Sequence, residues 1–253
     1  MILYFSGTGN TRMAAYLLGE ALGEKTFEMD MTSEAPALTA EGGRIVWCFP
    51  TYSWGVPPVV AEYMRTVRLD GAERMEHYML TSCGDDMGYT DRQWAALVRG
   101  RGWNPKGAYA VVMPNTYVLM KGFNVDLPEL AASKLEAVPR RISEVADAIR
   151  KGKPDMPVRG SFPWIKSKII YPWFVRFGMS PKPFHATGGC TGCGLCARSC
   201  PCGNIVMADG EPHWGDRCAL CLRCYHICPR RSVAYGRATD GKGQYMNPIK
   251  PRL

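Results

Sequence analysis

A chain of 253 residues exceeds the size at which one core stays comfortable, and a composition 46% hydrophobic and 21% charged is that of an ordinary water-exposed globular protein. Its longest apolar runs, such as Ala108 to Pro114, fall well short of the ~20 residues that cross a bilayer, so no transmembrane segment is expected. The net charge of +8 is lopsided: residues 1–152 hold 16 Lys+Arg against 18 Asp+Glu, and residues 153–253 hold 15 against 5, giving −2 and +10.

The first β-prone run is Ile2 to Phe5, which feeds a glycine loop directly. No room is left for the basic start and apolar core of an export signal, so a cytoplasmic location is expected. Further strands are predicted at Lys25 to Met29, Arg44 to Phe49, His77 to Ser82 and Ala108 to Met113. Helical spacing marks Thr11 to Leu22, Pro58 to Val67, Asp91 to Arg101 and Leu130 to Lys151. This alternation predicts an α/β doubly wound, five-stranded parallel sheet over residues 1–152, with its ligand outside the carboxyl ends of the strands.

Residues 153–187 break the pattern. Pro154, Pro157, Pro163, Pro172, Pro181 and Pro183 punctuate a connector that also carries Trp164, Tyr171, Trp173 and Phe174, with one helix expected at Trp164 to Phe177. Its aromatic and basic residues suit a membrane surface, and docking between the two halves of the chain is the favoured alternative. Residues 188–236 form a small cysteine-rich unit, and a polar tail, 237–253, follows.

Eleven cysteines in a reducing compartment point to metal or redox chemistry rather than disulfides. Cys190, Cys193, Cys196 and Cys200 precede Pro201, and the same C-x2-C-x2-C-x3-C-P pattern recurs 28 residues later as Cys218, Cys221, Cys224 and Cys228 before Pro229. Three thiolates on a tight loop grip three irons of a cubane, and the fourth is thrown onward to another cluster. The expected clusters are therefore Cys190, Cys193, Cys196 with Cys228, and Cys218, Cys221, Cys224 with Cys200. Zinc also takes C-x2-C pairs but has no use for three equally spaced cysteines with a fourth ahead of proline. The segment resembles a bacterial-type two-cluster ferredoxin, an α+β unit, with all eight ligand positions filled. Gly192, Gly194 and Ala197 suit a loop wrapped closely on a cluster. Of the remaining cysteines, Cys48 and Cys202 are expected to be buried.

After the first strand comes Ser6-Gly7-Thr8-Gly9-Asn10-Thr11. Arg12 stands where a dinucleotide fingerprint needs its third glycine, and no Gly-Lys-Ser/Thr follows. What remains is a set of hydroxyls and loop N–H groups that converge on an anion at a helix N-terminus. Two more loops leave the carboxyl ends of strands: Phe49 to Pro58, with Pro50, Thr51, Tyr52, Ser53, Trp54 and Gly55, and Thr81 to Tyr89, with Ser82, Cys83 and Gly84. With these loops the first ~150 residues, a usual domain size, resemble a flavodoxin. The resemblance implies FMN, its phosphate on Ser6 to Thr11, either Tyr52 or Trp54 on one face of the ring, and Ser82 to Gly84 with Tyr89 at the other edge. It also implies a peptide at Gly55 that turns toward the reduced ring. The long connection Pro114 to Pro128 is expected on the same side, as a cap or as a packed surface loop.

The whole chain thus resembles the flavodoxin-ferredoxin fusion electron carriers of anaerobic bacteria and archaea. That resemblance implies electron transfer between two 4Fe-4S clusters, FMN and a redox partner protein with an acidic docking surface. The alternative is a flavin-dependent reductase of a small molecule, which expects an open apolar pocket over the flavin roofed by Pro114 to Pro128. The anionic clusters offset part of the +10, and no nucleic-acid motif is present, so a nucleic-acid partner is not expected. His77, His185, His213 and His226 are scattered and read as surface or packing residues.

Overall fold

Burial along the strands alternates between two apolar layers, as the period of two in a β-strand requires. Leu3, Phe5, Ile45, Trp47 and Phe49 enter one layer, and Ile2, Tyr4, Val46 and Cys48 enter the other. The computed structural model describes residues 1–32, 37–39, 42–153 and 156–248; Pro154 of the predicted connector and residues 249–253 of the predicted tail lie outside the described residues.

In chain order the elements are β1 (Ile2–Tyr4), α1 (Asn10–Leu22), β2 (Thr26–Glu28), β3 (Leu38–Thr39), β4 (Arg44–Pro50), α2 (Pro58–Thr66), β5 (Leu69–Asp70), β6 (Glu76–Cys83), α3 (Thr90–Gly100), β7 (Asn104–Val112) and α4 (Pro128–Arg150). The main sheet runs β2-β1-β4-β6-β7 with every neighbour parallel. Counting those five strands alone, this is the 2-1-3-4-5 order of the flavodoxin-like fold. Helices α1 and α4 pack through Met13, Leu18, Val138, Ile142 and Val145 on one face, and α2 and α3 through Val60, Met64, Trp94 and Val98 on the other. The switch point lies where β1 parts β2 from β4, so the loops after β1 and β4 border the crevice. The two-residue pair β3–β5 lies outside this sheet and has no signal in the sequence.

Past α4 the chain forms a continuous helical segment over residues 163–178, in which α turns alternate with π turns at Lys166–Ile170 and Phe174–Gly178. The cysteine-rich unit then folds around two antiparallel strand pairs, one of them a hairpin. Phe184–Ala186 pairs with Val233–Tyr235, and Ile205–Ala208 with Glu211–Trp214. The first of these strands belongs by sequence to the predicted connector, so the paired unit begins at Phe184 rather than at residue 188.

The cysteine repeat is also a repeat of backbone shape. Left-handed residues Gly192, Gly194 and Gly203 recur 28 positions on as Leu220, Leu222 and Arg231, all with φ between 50 and 68°. The short helices Leu195–Arg198 and Arg223–Ile227 follow the same spacing. Left-handed φ costs a residue with a Cβ about 1–2 kcal/mol, so the second copy holds Leu220 and Leu222 there against their own preference. Their side chains are buried, in an apolar cluster shared with Val118, Leu119 and Phe174.

Candidate cofactor site

The carboxyl ends of β1, β4, β6 and β7 open into a cavity of about 660 Å³, within the range that holds cofactors and small ligands. Ser6, Gly7, Thr8, Asn10 and Thr11 line one end. Pro50, Thr51, Tyr52, Ser53 and Trp54 line it from the loop after β4, and Ser82, Cys83 and Gly84 from the end of β6.

The glycine loop is held in shape from both sides. Gly9, at φ 96°, turns the chain into α1, a conformation that a Cβ would strain. The Gly9 N–H donates to Ser6 Oγ at 3.1 Å, the Asn10 amide donates to the Pro114 carbonyl at 2.9 Å, and the Thr11 and Ser82 hydroxyls share a hydrogen bond at 2.7 Å. Arg223 Nε donates to the Gly7 carbonyl at 2.8 Å, and its Nη2 donates to the Ser6 carbonyl. In trans peptides this turns the Gly7 and Thr8 N–H groups the opposite way from those carbonyls. Those N–H groups, the Thr8 side chain and the start of α1 gather donors of the kind that suit an anion, with no lysine among them.

Three predicted site residues do not line the cavity. Gly9 acts through backbone conformation only. Tyr89 lies beneath the Arg92 guanidinium at 3.8 Å and beside that of Arg159 at 5.0 Å, which keeps its ring outside. Gly55 closes a two-residue turn with Tyr52, each N–H donating to the other's carbonyl at 2.9 Å, and the left-handed residues are Ser53 and Trp54. Its N–H is therefore committed and is not the turning peptide expected there. A Cβ on Gly55 would meet the Tyr171 ring at 2.3 Å, so the glycine serves the close approach of the connector helix.

That helix is a wall the sequence did not assign. Lys166, Ile170, Trp173 and Phe174 line the cavity. Ser167 Oγ donates to the Trp54 carbonyl at 2.9 Å and accepts the Tyr89 N–H at 2.7 Å, Tyr171 donates to the Val56 carbonyl at 2.6 Å, and Lys166 pairs with Asp86 at 2.7 Å while lying 5.0 Å from the Trp54 ring. The loop after β7 contributes Pro114 to Tyr117 together with Met120 and Phe123.

The second cysteine block closes the remaining side, through Leu220, Cys221 and Leu222. A Cβ on Gly7 would stand 2.5 Å from the Cys221 carbonyl oxygen. Tyr52 packs against both the sheet core and the cysteine-rich core, and burial, followed by the charges of Cys221 and Cys218, holds its hydroxyl well above the ordinary phenol range. The tail adds cover: the Asn247 N–H donates to the Thr8 carbonyl at 2.8 Å, and Tyr245 and Asn247 both donate to Asn10 Oδ1 at 2.9 Å. His226 Nδ1 accepts the Tyr245 N–H at 3.2 Å, which leaves Nε2 to donate to the Thr116 carbonyl at 2.8 Å, and burial lowers its pKa to about 4.

Among the cysteines, burial raises Cys196, with the Cys190 and Cys228 charges adding to the rise. In the other block burial raises Cys218, with the charge of Cys200 adding to it; burial takes Cys224 to about 12, with Cys218 and Cys200 adding to the rise. The influences therefore cross between the repeats. Cys200 accepts the Asn204 N–H and Cys228 accepts the Ser232 N–H, each at 3.3 Å and each four residues on. Among the described residues no group of three or more His, Cys, Asp or Glu side chains closes around a single metal ion. Cys48 and Cys202 are buried as expected, and burial pushes Cys202 up to about 11.

No protein-family model matches the chain, and no curated protein does. Solved structures with a similar arrangement include a short-chain flavodoxin associated with a PDU bacterial microcompartment, at 15% identity over 59% of this chain and 95% of that one, TM-score 0.37. An azoreductase from Bacillus anthracis matches at 12% identity over 58% and 98%, TM-score 0.37. The Trp repressor binding protein of Bacillus subtilis matches at 14% identity over 56% and 97%, TM-score 0.35. Likenesses this distant add nothing to the fold assignment, which rests on the parallel 2-1-3-4-5 strand order.

Proposed function

We propose that the protein is an electron carrier that binds FMN in the cavity and two 4Fe-4S clusters in the cysteine-rich unit, and passes electrons between them and a redox partner protein. The observation that carries this reading is the shared wall. The cavity is bounded at one end by the hydroxyl-glycine loop and at another by Leu220 to Leu222, so a flavin and the cluster of the second cysteine block would stand side by side.

The residues present fit the cofactors. The N–H groups turned by Arg223, with Thr8 at the start of α1, suit the FMN phosphate, and Tyr52 and Trp54 offer aromatic faces for the ring. For the clusters, the proposed ligand sets are Cys190, Cys193, Cys196 with Cys228, and Cys218, Cys221, Cys224 with Cys200. The twice-repeated C-x2-C-x2-C-x3-C-P spacing supports that division. In a cubane each thiolate binds its own iron, so the four need not converge on one point. Bound FMN would exchange electrons singly or in pairs, while the protein orients it, excludes water and sets potentials through hydrogen bonds and burial. The basic second half would steer an acidic partner.

One observation favours a second reading, a small-molecule reductase fed by the clusters. The cavity extends past the aromatic pair to an apolar rim of Met120, Phe123, Ile170 and Trp173, as a pocket roofed by the loop after β7 requires. Anaerobic purification with an absorbance spectrum and counts of iron, acid-labile sulfide and flavin tests the cofactors. About eight irons and one FMN per chain are expected; zinc in their place, or no flavin at any occupancy, overturns the proposal. Stepwise reduction by candidate reductases, followed by reoxidation with and without small-molecule acceptors, separates carrier from enzyme.

A further inference from the structure

The helix over residues 163–178 is amphipathic in the reverse of the usual sense. Because π turns close on i→i+5 and hold more residues than the 3.6 of an α turn, the mixture keeps positions four apart on one face. Four columns result. Ser167 and Tyr171 pack on the body of the protein, and Lys166, Ile170 and Phe174 face the cavity. The other two columns are exposed: Ile165, Ile169, Trp173 and Phe177 form an apolar ridge, on which Trp173 also reaches the cavity rim, and Trp164, Lys168, Pro172 and Arg176 form its edge.

Lys166, Ser167 and Tyr171 are thus spent inward, while the largest apolar side chains face out with Lys168 and Arg176 beside them. Trp173 is 60% exposed, Phe177 61%, Trp164 57% and Ile169 53%. An isolated exposed apolar residue needs no explanation, but a continuous ridge of them does. Phe162, 73% exposed, extends it at one end, and Met120 and Phe123, on the cavity rim, are also exposed.

Charge decides between occupants. Residues 156–208 hold no Asp or Glu; of their cations Arg159 and Lys166 pair with Asp91 and Asp86, while Lys168 and Arg176 stand exposed at the edge of the ridge. A second copy would bring the same cations against one another. A protein interface sets its apolar centre in a mixed polar rim, whereas this ridge has Lys168 and Arg176 and no acidic side chain along the helix. A bilayer with anionic headgroups accepts such a ridge, with Trp and Phe at the headgroup level and Lys and Arg reaching the lipid phosphates. No helix among the described residues is long and apolar enough to cross a membrane, so a membrane contact of this helix is peripheral.

We propose that the outer face of this helix seats the protein on an anionic lipid bilayer, with the cavity rim at the membrane surface. The seat is independent of which cofactor the cavity holds. The test is co-sedimentation of the full chain with vesicles of phosphatidylcholine containing phosphatidylglycerol, against phosphatidylcholine alone. Binding to the anionic vesicles at least ten-fold tighter, weakening with salt, is expected. Ile169→Asp with Phe177→Asp, neither of which lines the cavity, should abolish it, with the thermal midpoint and flavin content reporting that the variant folds. Quenching of tryptophan fluorescence by brominated lipid in the unaltered protein gives a readout that needs no variant. Absence of sedimentation and quenching with anionic vesicles overturns the proposal. So does a concentration-dependent dimer that the double variant dissociates, which would assign the ridge to a second copy.

Discussion

At residue scale, Thr8 and His77 show how one side chain can be read in opposite directions. Thr8 is singled out in the sequence only with its companion loops, since a hydroxyl-glycine turn alone is often a plain strand-to-helix connection; in the structure it lines the cavity. Thr8→Ala should lose one hydrogen bond to a charged group, about 1.5–3 kcal/mol, or roughly 10- to 100-fold in flavin affinity, with the iron count unchanged; flavin retained on gel filtration measures it. His77 was placed only as a surface or packing residue. It is fully buried, where Nδ1 accepts the Trp47 indole N–H at 3.0 Å, leaving Nε2 to donate to the Ala72 carbonyl at 2.9 Å. Burial lowers its pKa from the ordinary 6.5, the Ala72 bond opposing in part. The unfolded chain therefore takes up the proton first, so this contribution to stability is complete above about pH 6.5 and is lost as the pH falls below it. The urea midpoint should drop on acidification from about pH 7.5 to 5.5, and drop less in His77→Gln.

At the scale of elements, the strands and helices of the sheet were predicted to within a few residues because each has its own apolar period and its own punctuation. The connector helix was also anticipated, but not its direction. Nothing in its composition says that Ser167 and Tyr171 face inward, since the loops that exchange hydrogen bonds with them lie 78 to 115 residues away in sequence. The cysteine repeat is legible as spacing, yet the equivalence of Gly192 and Gly194 with Leu220 and Leu222 emerges only from the backbone. Gly192 sits at φ 66°, and a Cβ there would stand 2.8 Å from the Gly210 carbonyl oxygen. Gly192→Ala should cost at least about 1–2 kcal/mol and, under the proposed ligand sets, lower iron by about half while flavin stays bound; paired iron and flavin assays check this.

On the scale of the whole molecule, the two halves are joined through backbone and charge rather than through a flexible tether. Arg223 binds the Ser6 and Gly7 carbonyls and pairs with Glu28 at 3.3 Å, while Arg217 donates to the Met31 carbonyl at 3.3 Å. Arg223→Ala should destabilise the cofactor-loaded protein by about 2–4 kcal/mol, since charged hydrogen bonds across a largely buried contact are lost, and calorimetry would measure it. Gly7→Ala acts differently. Its Cβ collides with the Cys221 carbonyl across the junction, where the proposed phosphate loop meets a proposed cluster ligand, so both flavin and iron content should fall, as paired flavin and iron assays would show.

The sequence alone determined the order of strands and helices of the main sheet, the hydroxyl-glycine loop and the eight repeated cysteines, because those signals are local: a period, a turn chemistry, a spacing. Only the tertiary structure decided that the loop and the second cysteine block share a wall, that Tyr89 and Gly55 are committed elsewhere, and that Tyr245 and Asn247 of the tail close over Asn10. Each of these depends on groups far apart in the chain meeting at the junction of the two halves. Contacts of that kind leave no periodic trace, since one residue on each side is enough to make them.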